Sequence, residues 1–163
     1  MGEAREVMDG ITAAIMSGDR AAIERLYAPD AVVEAPDVPR IAGAAAIADF
    51  HVALHRGFPD ARWESRSTIE VGDIAIDEGW FVGTHTDVLG TPDGDLPPTG
   101  KAVRARAFDI LEVRDGRCVS HRMYYDQLDL MEQLGLAEAP AGAAPVPQPR
   151  NATDVAVEQP IIG

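Results

Sequence analysis

Three observations predict an α+β fold. Apolar residues at helical spacing fill the first third of the chain, strict alternation replaces them from residue 61, and an Asp-Gly pair separates the last two alternating segments. Helices followed by a run of long antiparallel strands give a curved sheet with the helices packed on one face.

Val7, Met8, Ile11, Ala14 and Ile15 recur at helical spacing, and Ser17-Gly18-Asp19 closes that first helix. Ile23 and Leu26 mark a short second helix that stops before Pro29. AVVEAP (31–36) reads as a short strand and RIAG (40–43) as a turn or edge segment. A third helix is predicted from about Ala44 to Arg56 on the stripe Ile47, Phe50 and Leu54, and GFPD (57–60) breaks it. ARWESRSTIEV, IAIDEGWFVGTHTDVL, KAVRARAFDILEV and RCVSHRMYYD are then read as four strands. Asp115-Gly116 makes the last two a hairpin. A short amphipathic helix, QLDLMEQL, follows Asp126. The predicted domain is 1–136. Residues 137–163, rich in proline and alanine and without periodicity, are expected to be a flexible tail. Asn151-Ala152-Thr153 within it reads as a chance match to a glycosylation sequon.

Length and charge exclude several classes. A chain of 163 residues suits one domain with a real core. The net charge of −13 repels phosphates and anionic lipid, so neither nucleic acid nor a membrane surface is an expected partner. No apolar run approaches the ~20 residues of a membrane span. The acidic, helix-like start without a leader segment and the single cysteine, Cys118, give a cytoplasmic expectation. There is no phosphate loop, GxGxxG or GxSxG.

The residues that carry chemistry each have two readings. Asp126 ends an aromatic strand after Tyr124 and Tyr125, where burial would raise its pKa and fit it for proton transfer. It also immediately precedes a helix, where capping would lower that pKa. Residues alone leave both open. Asp109 shares a strand face with Ala105, Ala107, Leu111 and Val113, so it is either protonated, able to donate to an enolate oxygen, or a hydrogen-bonded structural group. His85 is a secondary catalytic candidate; Trp80, Val82 and Val88 read as the apolar face of its strand, so a bulge near Gly83 is needed to turn it inward. On the last strand His121, Met123 and Tyr125 form the better pocket lining. His51 flanks the third helix's apolar stripe and completes the pocket expectation with Trp80. His51 and His55 are one turn apart, but HVALH lacks the glutamate of HExxH and no ligand cluster accompanies it, so no metal is assigned.

Five segments in order, GFPDARWE, GTHTDVLG, PPTGK, the Asp-Gly hairpin and YYDQLDLMEQLG, resemble the SnoaL-like polyketide cyclases of the NTF2-like superfamily over most of residues 5–136. The resemblance implies a cone-shaped α+β barrel, its curved sheet wrapped by N-terminal helices around a hydrophobic pocket, and often a homodimer. It implies aldol ring closure of a hydrophobic, carbonyl-containing substrate without metal or organic cofactor. It assigns the acid–base role to Asp126. Departures are Asp87, where the family commonly has glycine, and the longer TPDGDLPPTG loop. The related ketosteroid isomerases carry a tyrosine where this chain has Ile11 and an aspartate where it has Ala35, and only Asp109 matches their oxyanion-binding aspartate. Epoxide hydrolases of this fold need an Arg-x-Asp that occurs nowhere here. The rival expectations are dehydration, isomerisation or hydroxylation in the same pocket, and a non-catalytic ligand-binding module.

Overall fold

The computed structural model describes residues 2–36, 38–91 and 94–137. Helix α1 (Glu3–Ser17) buries the predicted stripe, and Gly18, at φ 67°, ends it by donating its N–H to the last turn. Helix α2 (Arg20–Leu26) starts on the Asp19 side chain, which accepts the Ala22 N–H at 2.9 Å. Helix α3 (Ala44–Gly57) turns Ile47, Ala48 and His51 inward.

Six strands form the main sheet: β1 (Tyr27–Ala35), β2 (Val38–Ala42), β3 (Arg62–Val71), β4 (Ile74–Thr84), β7 (Ala102–Arg114) and β8 (Arg117–Tyr125). Their order is β2-β1-β8-β7-β4-β3. All neighbours are antiparallel except β1 and β8. The β7–β8 hairpin turns on Asp115 and Gly116 with φ of 51° and 70°, the left-handed pair that a two-residue turn requires. Helix α4 (Gln127–Leu134) closes the described fold.

Three expectations are narrowed or corrected. Of the two readings of RIAG the edge segment holds and the turn does not, since Arg40, Ile41 and Ala42 belong to β2, which pairs with β1, and Gly43 precedes α3. The first strand begins at Tyr27, before Pro29, since a register shift between Tyr27 and Val32 takes up the proline. The TPDGDLPPTG loop contributes to a small antiparallel pair, β5 (Leu89–Thr91) and β6 (Gly94–Leu96). The expected tail lies outside the described residues beyond Ala137. No described helix is long and apolar enough to cross a membrane.

Two apolar clusters hold the layers together. The larger joins α1, α2 and α3 to the sheet through Met8, Ile11, Ile23, Ile47 and Leu111; the smaller gathers Phe58, Val103 and Leu134 with Phe81, Leu89 and Met131. One buried ion pair crosses between helix and sheet: Arg5 Nη2 lies 3.2 Å from Asp77 Oδ2.

Candidate active site

Between the inner sheet face and helices α1 and α3 lies a cavity of about 180 Å3, walled by residues of both clusters. Met8, Ile11 and Ile15 of α1, Phe50 and Leu54 of α3, and Phe58 and Phe81 make it apolar. Leu89 of β5 and Leu130 and Met131 of α4 complete the wall. Polar atoms enter through Thr12, His51, Trp63, Asp109, His121 and Tyr125.

Alternation explains which predicted residues arrive. His121, Met123 and Tyr125 share the inward parity of β8, as Ala105, Ala107 and Asp109 do on β7, and all six line the cavity. His51 joins them from α3. Asp109 is the one carboxylate lining the cavity among the described residues.

Three predicted residues are placed elsewhere. Asp126 has the outward parity of Tyr124, is exposed, and accepts the Asp129 N–H at 3.0 Å. It caps α4. The first N–H groups of a helix need acceptors, and here that demand coincides with the outward phase of the strand end. Asp126→Ala is therefore expected to cost about 1 kcal/mol of stability and to leave turnover unchanged, checked by thermal unfolding beside an activity assay.

Trp80 is on the outer face, with the Arg104 guanidinium 4.0 Å above its ring and Glu64 3.0 Å from that arginine. The apolar count of β4 misleads about its direction. Its inward face carries Ala75, Asp77, Gly79, Phe81 and Gly83, and the small Ala75 and Gly79 let α1 and the Trp63 ring lie against the strand. His85 follows that inward phase, and the β4–β7 ladder runs without a bulge at Gly83. It is fully buried but does not line the cavity: Nδ1 accepts the Thr99 N–H at 3.2 Å, lies 3.1 Å from Thr99 Oγ1, and the ring packs on Phe58. His55 turns its ring onto Gly18, so the two histidines of HVALH do not converge.

The residue that sequence reasoning missed is Tyr27. Its hydroxyl lies 2.7 Å from His121 Nδ1 and 3.3 Å from His51 Nε2, and the three rings stack within 5.9–6.2 Å of one another. Its signal was available: Tyr27, Ala31 and Val33 share one parity across the proline, and a buried phenol needs a polar partner. Burial, then Cys118 and Asp109, holds the Tyr27 phenol well above its ordinary pKa, so it keeps its proton. Assigning that proton to the shorter contact makes His121 an acceptor at Nδ1 and a donor at Nε2. Nε2 faces Asp109 Oδ1 at 3.5 Å, an electrostatic contact rather than a formed hydrogen bond. Both line the cavity, and Asp109 retains 21% side-chain exposure against 3% for His121, so the carboxylate is the more accessible of the two.

His51 completes the chain by donating from Nε2 to the phenol oxygen. Burial, and secondarily His121, pushes its pKa well below the ordinary 6.5. The folded protein then refuses a proton that the unfolded chain accepts, and stability falls as pH drops below about 6.5, by at most ~1.4 kcal/mol per unit. His51→Gln is expected to flatten that slope between about pH 6.5 and 5.5, measured by urea unfolding at several pH values.

A sequence profile described as SnoaL-like polyketide cyclase matches residues 5–134. Among solved structures, a protein from Jannaschia sp. CCS1 assigned as a SnoaL-like polyketide cyclase superposes with a TM-score of 0.72 at 16% identity, covering 83% of this chain and 94% of that one. IdmH from Streptomyces antibioticus, assigned as a polyketide cyclase, gives 0.66 at 26% identity, covering 82% and 99%. An LEH-like epoxide hydrolase from M. tuberculosis gives 0.63 at 18%, covering 81% and 89%. That last likeness is one of fold. Among curated proteins no match is found.

Proposed function

This chain belongs to the SnoaL-like polyketide cyclase family, and from that premise we propose that it closes a ring in a compact, apolar, carbonyl-rich substrate by an intramolecular aldol reaction. The observation that carries the reading is Asp109, a carboxylate on the wall of an otherwise apolar cavity, backed by the chain His121, Tyr27, His51. Asp109 takes a proton from a methylene flanked by two carbonyls. The resulting enolate carbon bonds to a third carbonyl carbon of the same molecule, and the proton on Asp109 passes to the alkoxide so formed. Product and substrate are isomers. The apolar walls position the reacting carbons and keep water away.

The acid–base role thus moves from Asp126 to Asp109, because proton transfer needs contact with the reacting atoms and Asp126 has none with the cavity. A cavity of about 180 Å3 is below the ~300–1,000 Å3 of drug-sized pockets, which favours a compact ligand. Incubation with a panel of aromatic poly-β-ketones, followed by mass spectrometry and NMR of the products, tests the reaction. A ring-closed product of unchanged mass is expected. Dehydrated product alone, or tight binding without conversion, would replace ring closure with one of the rival activities.

A further inference from the structure

Trp63 carries a buried polar group on the cavity wall that the proposed chemistry leaves unused. Register places it opposite Phe81, and both rings turn inward. Its indole edge lies against Gly79, where a β-carbon would come within 2.9 Å of Cε2 and Cζ2; only glycine permits so close an approach. Nε1, bonded to Cε2, therefore sits over the backbone of β4. It is buried, with no hydrogen-bond partner among the described residues. An indole N–H can only donate, and a buried donor without an acceptor is a standing free-energy cost that a ligand oxygen would remove.

The position of this donor relates it to the proposed base. Gly79 is the register partner of Ala107 on β7, and Ala107 is two residues from Asp109. That step is about 7 Å along the strand and the neighbouring strand lies about 5 Å across, so the indole nitrogen over β4 and the carboxylate on β7 stand on the order of 8 Å apart, a gap that one carbonyl group and its neighbouring carbon span with a hydrogen-bond length at each end. We infer that Trp63 Nε1–H binds the substrate's carbonyl oxygen and stabilises the enolate oxygen that develops there while Asp109 removes the proton from the adjacent carbon. This assignment rests on the proposed carbonyl chemistry of the cavity and names the donor which that chemistry requires.

The chain has two tryptophans, and Trp80 lies on the outer face under Arg104, so Trp80→Phe leaves Trp63 as the sole indole without touching the cavity. In that variant, labelled with 15N, benzoylacetone is expected to move the indole proton resonance downfield. Butylbenzene, an apolar counterpart without an acceptor, is expected to bind without that shift. Trp63→Phe in the otherwise native chain keeps an aromatic ring and loses the donor: its Kd for benzoylacetone should rise about tenfold, its Kd for butylbenzene should not, and kcat for ring closure should fall. Equal resonance shifts with both ligands, no shift with bound diketone, or unchanged diketone affinity in Trp63→Phe would overturn the inference. Loss of turnover in an Asp109 variant alongside any of those results would leave the proposed function standing and remove only the role of Trp63. Failure of every carbonyl compound to bind would remove both.

Discussion

Asp109→Asn is expected to lower turnover by about 10²–10⁴-fold, the usual contribution of a positioned acid–base group, while the chain remains folded. The substitution keeps the shape and keeps an oxygen toward His121 Nε2, so the cross-strand register with Asp77 and Met123 survives. It removes the ability to accept a proton. Steady-state kinetics on any substrate that the enzyme cyclises would show the loss in kcat, with KM little changed because the amide still fills the site. The informative control is Asp126→Asn, which alters a carboxylate of the same type that caps α4 outside the cavity. Loss of activity in the Asp126 variant together with wild-type rates in the Asp109 variant would reverse the assignment.

Much of the fold was legible because it is written in periods. Helical spacing from Val7 to Ile15 and alternation after residue 61 survive into α1 and the strands, and Asp115-Gly116 makes the turn that its backbone chemistry demands. The pocket was legible in part. Parity alone brought His121, Met123 and Tyr125 together with Asp109. It failed on β4, where counting apolar residues chose the face of Trp80 over that of Phe81. The rule fails there because an inward face needs small residues, Ala75 and Gly79, where a helix and an indole ring lie against it, while an outward tryptophan can be covered by an arginine. Tyr27 was missed because its contacts, to His121 and His51, span 94 and 24 residues of sequence. The parallel pairing of β1 with β8 that creates them leaves no local mark on the chain. Asp126 fitted both a catalyst and a cap from its residues alone, and the resemblance assigned it catalysis; its side chain accepts the Asp129 N–H because the strand's outward phase held to its end.

Arg5→Ala is expected to destabilise the protein by about 3–5 kcal/mol, the cost of stranding a buried charge. Arg5 is 7% exposed and reaches from α1 to Asp77, itself 3% exposed. Without the guanidinium, Asp77 keeps one strong contact, the Ser65 hydroxyl at 2.6 Å, which is too little to compensate a buried carboxylate. Asp9 loses a 2.6 Å partner too, but its half-exposed side chain turns to water and adds little. Asp77 also stands directly opposite Asp109 on the neighbouring strand. An uncompensated charge there would disturb the proposed acid–base group, so Arg5→Ala should lose turnover beyond what its fraction unfolded explains. The double variant Arg5→Met with Asp77→Leu removes both charges and is expected to regain most of the stability, since an apolar pair carries no desolvation cost. Urea unfolding of the single and double variants provides the measurement. A loss below about 1 kcal/mol in Arg5→Ala would mean that Asp77 is reached by water, and the electrostatic tie between α1 and the site would then have no basis.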